Sequence, residues 1–119
     1  MADLRALVRS VRSTPGVRAA VAAGRDGLLI DAAGVEGARA EHVAALAPGL
    51  TRAAAQLGEA AAHGPPQAVA VEGAQGVLLA LPLTSEVTLV ALLDDGTSGG
   101  VGEAVAALRR ARADYAALA

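Results

Sequence analysis

The 119-residue chain contains no cysteine, no phenylalanine, no tryptophan and no lysine. Without cysteine there is no disulfide framework, thiol nucleophile or cysteine zinc site. Such a chain also loses nothing in a reducing cytosol. A single tyrosine is the only aromatic residue, so there is almost no platform on which nucleic-acid bases could stack. All ten basic residues are arginine and the formal charge is −2, which is not the basic footprint of a nucleic-acid binder. The longest apolar runs, VLLALPL and VALL, fall far short of the roughly 20 residues that cross a bilayer. The start, MADLRALVRS, carries charges every few residues and no long apolar core, so no signal peptide is expected. These absences fit one small globular domain, residues 1–119, and a cytoplasmic location is the expectation. Its core must be made of alanine, leucine and valine, which lets helices pack close to a sheet.

What is present falls into eight elements. In residues 3–14, Leu4, Leu7, Val8 and Val11 recur at helical spacing. Thr14-Pro15-Gly16 then stops the helix. VRAAVAAG (17–24), the turn Arg25-Asp26-Gly27 and LLIDAA (28–33) read as a hairpin. Residues 37–62 read as a longer helical segment with a stripe of Val43, Leu46, Leu50, Ala54 and Leu57. Pro48-Gly49 interrupts it, so a kink or two helices in series is expected. QAVAVE (67–72), GVLLALPL (76–83) and EVTLVALLD (86–94) follow with links short enough for an antiparallel meander. The last two of these strands are apolar on both faces and need cover on both sides. A final helix, about 101–118, places Val101, Val105, Leu108, Tyr115 and Leu118 on one stripe.

Taken in order, these features resemble the Roadblock (dynein light chain) domain family over nearly the whole length. The resemblance rests on the PGV that closes the first helix (Pro15 to Val17) and the RDG turn into an apolar strand. It rests further on an Ala/Leu-rich second helix and on Val69–Glu72 followed by the short turn from Gly73 to Gly76 and LLALPL. VTLVALLDD and a loop whose Gly102 opens the last helix complete it. The resemblance implies an α/β (α+β) three-layer sandwich with one five-stranded antiparallel sheet, order 2-1-5-4-3. Helix 2 would cover one face, and helices 1 and 3 the other. It also implies a homodimer in which third strands pair edge to edge and second helices pack antiparallel, with Leu50, Ala54, Leu57, Gln67, Val69 and Val71 at the interface. The residues agree on one point. An apolar edge at 67–72 with no lysine and no internal proline is an aggregation hazard unless something pairs with it, and a two-fold dimer removes the hazard.

Several stretches invite a chemical reading. DDGTSGGVGEA (94–104) joins a strand to a helix and suggests a phosphate cradle. It lacks the lysine of a Walker A loop, fails the third glycine of the dinucleotide fingerprint and is flanked by Asp94, Asp95 and Glu103. A connecting hinge is the better reading. His42 and His63 read as solvated or helix-capping histidines, since neither has a visible nucleophile. Asp94 and Asp95 are adjacent on a strand and point to opposite faces, so no metal pair is expected. Arg5, Arg9 and Arg12 form one ridge and Arg109, Arg110 and Arg112 another. Side by side they would make a positive surface for an acidic partner or an anionic lipid, though a solvated face is the plainer account. The Val43–Leu57 stripe admits a core reading and an interface reading.

The family resemblance implies a non-catalytic homodimer that regulates a small Ras-like GTPase, as bacterial members often do. The composition, rich in alanine and arginine, fits a GC-rich bacterial genome. Arg39, Glu41 and Arg52, on or near the second helix, are the candidate partner contacts. No cofactor, metal or nucleic acid is expected, and any membrane association would run through the partner. A dimeric scaffold of the dynein-light-chain kind is the alternative. A small-ligand sensor is the third reading, disfavoured because the core offers few polar groups aimed inward.

Overall fold

The computed structural model describes residues 3–94 and 100–118. The glycine-rich segment before the last helix therefore lies outside the described residues. The chain runs α1 (Leu4–Arg12), β1 (Val17–Gly24), β2 (Leu29–Ala33), α2 (Gly37–Ala60), β3 (Val69–Gly73), β4 (Gly76–Pro82), β5 (Val87–Asp94) and α3 (Gly100–Leu118). The five strands form one antiparallel sheet in the order β2-β1-β5-β4-β3, as expected. α2 covers one face, and α1 and α3 lie together on the other.

Local chemistry fixes the element ends. Asp3 caps α1, its carboxylate accepting from the Ala6 amide at 2.8 Å, which satisfies one of the free donors of the first turn. In the β1–β2 turn the Asp26 carboxylate accepts from the Leu28 amide. Gly27 there has φ +82°, and a Cβ at that position would stand 3.3 Å from the Ala45 carbonyl. The turn needs glycine both for its backbone and for the close passage of α2. α2 ends with the His63 amide donating to Gly58 and the Ala62 amide to Glu59. That is a Schellman cap with Ala62, φ 59°, at the position usually held by glycine.

Pro48 does not divide α2. The helix continues through it, and the Thr51 hydroxyl donates to the carbonyls of Ala47 and Pro48. A second expectation also shifts. The edge strand starts at Val69, so Gln67 lies ahead of β3 rather than on it.

The two faces of the sheet are filled differently. On the α1/α3 side, Leu79, Leu81, Leu89 and Leu108 are fully buried with Val8 and Val11. On the α2 side, the buried helix positions are Ala40, Ala44, Ala47 and Pro48, set over Val21, Ala23, Ala80 and Val90. Small residues spaced four and three apart form one helical face and let α2 approach the sheet closely. On α3 the inward residues are Ala104, Ala107, Leu108 and Ala111. Val101, expected in that stripe, is exposed, and the Leu118 side chain lies outside the described set.

Candidate functional site

α2 lies mainly over β1 and also touches β2, β4 and β5, while β3 receives no comparable cover. This offset leaves apolar surface on the sheet beside the helix. Strand pairing aligns Val69 with Ala80 and Val71 with Leu78, and Ala80 with Val90 and Leu78 with Leu92. All of these side chains share the α2 face, because alternate residues of a strand point the same way. Val69, Leu78 and Leu92 are only half-buried, and Val71 is 38% exposed.

The flank of α2 above this strip is apolar too. Leu46 is 74% exposed and Leu57 71%. They are eleven residues apart, about three helical turns, and so share a side of the helix. Val43, Leu50 and Ala54 sit half-buried between that flank and the core. Val43, Leu46, Ala47 and Leu50 form one wall of a groove of about 160 Å³ whose other wall is Leu78, Ala80 and Val90. Helix flank, groove and β3 edge make one continuous apolar surface. Exposed apolar patches that are contiguous, rather than scattered, mark sites of protein contact.

The expected contact residues divide on this frame. Leu50 and Val69 pack with the α2-face cluster. Ala54 and Leu57 continue the flank toward the end of the helix, and Val71 stands on the open edge strand. Gln67 precedes the edge strand, and its carbonyl accepts from the Arg112 guanidinium of α3, on the opposite side of the sheet. Arg112 also donates to the Pro82 carbonyl at 3.3 Å, so α3 is tied to the segment that leads into β3.

Arg39, Glu41 and Arg52 are all exposed but do not form a cluster. At roughly 100° per residue, Arg39 falls on the apolar flank with Leu46 and Leu57. Glu41 and Arg52 fall on the other side of the helix. There Arg52 joins Arg25, Pro48, Pro65, Pro66 and Pro82 around a second groove of about 390 Å³.

One arginine of each ridge on α1 and α3 is anchored on the sheet. α1 and α3 are neighbours, yet Arg12 donates to the Arg18 carbonyl of β1 while Arg112 reaches toward β3 and β4. These two anchors lie toward opposite ends of the strand order, while Arg5, Arg9, Arg109 and Arg110 are exposed. Asp94 forms an ion pair with Arg18 at 3.2 Å. His42 and His63 are exposed.

Two contributors were not singled out as interface residues by sequence reasoning. Leu46 belonged to the visible helical stripe, so its spacing was the signal. Leu78 gave none, because β4 is apolar at successive positions and periodicity cannot tell its faces apart.

Comparison with known proteins follows the same architecture. The family model for the Roadblock/LC7 domain matches residues 4–93. No curated protein matches the chain. Among solved structures, a Roadblock/LC7 domain from Streptomyces avermitilis shares 24% identity, with 95% of this chain and 94% of that one covered and a TM-score of 0.81. MglB of Myxococcus xanthus shares 22%, with 92% and 89% covered and a TM-score of 0.79. MglC of Myxococcus xanthus shares 19%, with 97% and 98% covered and a TM-score of 0.65. At these identities the structural likeness speaks to the fold.

Proposed function

The chain belongs to the Roadblock/LC7 domain family, and on that premise we propose that it is a non-catalytic homodimeric regulator of a small Ras-like GTPase. The observation that carries the proposal is the half-covered α2 face. Leu46, Leu50 and Leu57 on the helix and Leu78, Val69 and Val71 on the sheet form an apolar surface too continuous to be incidental. A second copy related by a two-fold axis supplies a matching surface, because an isologous interface presents the same patch from both sides. Its third strand would pair with β3 and its second helix would lie across the groove.

Dimerisation of this kind sets two α2 helices side by side. Their outward sides then make the platform on which a partner GTPase rests, with Glu41 and Arg52 on the helix side turned away from the apolar flank. Regulation would act through contact: a platform that binds one nucleotide state better shifts the GTPase toward that state by the difference in affinity. The protein contributes surface rather than chemistry in this account. An arginine finger is a known device for speeding GTP hydrolysis, and Arg39 and Arg52 are the residues to test for it.

The deciding experiment is a pull-down with a Ras-like GTPase encoded beside this protein, loaded in turn with GDP and with a GTP analogue. Preference for one state, lost in Arg52→Glu, supports regulation. Equal binding to both states would instead favour a scaffold, and no binding to either would set the GTPase reading aside.

A further inference from the structure

The sheet has two edges, and they are built differently. β3 runs in unbroken register against β4, from Val69 opposite Ala80 to Gly73 opposite Gly76. Its single charge is Glu72, and the strand is regular to its end.

β2, at the far edge, departs from regularity. Ala22 faces Asp31 but Ala23 faces Leu29, so Ile30 is an extra residue with no partner on β1. This is a β-bulge, which bends an edge strand and increases its twist. Ile30 is 48% exposed and Leu28, just before the strand, is 67% exposed. The next residue, Asp31, shares the face of its partner Ala22, whose side chain belongs to the core beneath α1 and α3. Its Oδ2 is shielded from solvent and has no hydrogen-bond partner among the described residues. A strand added alongside β2 would take away the remaining solvent around that carboxyl group and give it nothing in return, which is costly for a group of this kind. A bulge and an inward-facing acid are two recognised ways of keeping a strand edge from pairing.

We infer that β2 is an edge closed to strand pairing, so that second copies of this chain can extend the sheet at β3 alone. A chain with two open edges would polymerise into an endless sheet, whereas one open edge on a two-fold axis gives a closed pair. Only the closed pair rests on the proposed β3 interface; the closure of β2 stands on its own features.

The test uses the full chain with Ile30 deleted and Asp31→Val, which makes the β1–β2 ladder regular and removes the acid. Circular dichroism checks folding, and sedimentation velocity with negative-stain microscopy reads size. The folded variant is expected to grow with concentration into a series of species larger than the parent. Adding Val71→Lys should cut that series back to a discrete pair. A folded variant that keeps the parent's size at every concentration overturns the inference.

Failure at the two edges can be told apart. If the parent is a monomer, the β3 pairing is wrong, yet the opened variant should still move from monomer to pair. A readout on the unaltered protein covers the case in which the deletion does not fold. Hydrogen exchange at residues 29–33 is expected to be independent of protein concentration, and protection that rises with concentration there overturns the closure of β2.

Discussion

The two faces of the sheet show how one chain divides its apolar residues between folding and contact. Under α1 and α3 the face is deep. Leucines and valines from both helices and from β1, β4 and β5 interlock there and are removed from water. Under α2 the face is thin. The helix lays alanines on the sheet, and its large side chains, Leu46 and Leu57, point away. The first face completes itself, and the second leaves Leu46, Leu57 and Val71 exposed. The lesson is that burial follows the size of the gap as well as hydrophobicity. A helix drawn close by alanine has no room beneath it for leucine, so its leucines are left for something else to cover.

The sharpest way to test this contrast is to truncate the deep face. Leu89→Ala removes a fully buried side chain from the middle of β5, and urea unfolding should show a loss of about 2–5 kcal/mol. An equal truncation on the thin face, Leu46→Ala, should leave the stability of an isolated chain nearly unchanged. The thin face should fail in the opposite sense. Ala44→Leu inserts bulk where α2 meets the sheet, and overpacking should lower stability by roughly 1–3 kcal/mol in the same assay. If Ala44→Leu is neutral, α2 is not held close by its alanines. The smallest effect lies at the end of α2. Ala62→Gly relieves the positive φ at the cap and should raise the melting midpoint by an amount equivalent to about 0.5–1 kcal/mol.

Much of the fold could be read in advance. The RDG turn, the stop at Pro15-Gly16 and the short links of the β3–β5 meander carry local signals that tertiary contacts did not override, whereas the expected break at Pro48-Gly49 was overridden. The side of α2 that faces the sheet was harder to read. Leu and Val outweigh Ala on any hydrophobic stripe, so Val43–Leu57 drew attention while the true inward face, Ala40–Ala44–Ala47, looked ordinary. The start of β3 and the bulge at Ile30 depend on pairing partners distant in sequence, which local patterns do not report. The same holds for Gln67, whose place is set by Arg112, 45 residues away. Arg39, Glu41 and Arg52 could be assigned to a helix from the sequence. Which side of it each occupies required knowing where the sheet lay.

The account stands on the claim that the thin face is completed by a second copy of the chain. Sedimentation equilibrium of the parent beside Leu46→Asp tests it most directly. The account predicts a dimer for the parent, and for the variant a folded chain whose dimer is weaker by about 2 kcal/mol or more, roughly 30-fold in dissociation constant. A parent that stays monomeric at all concentrations, or a Leu46→Asp dimer as tight as the parent's, would contradict it.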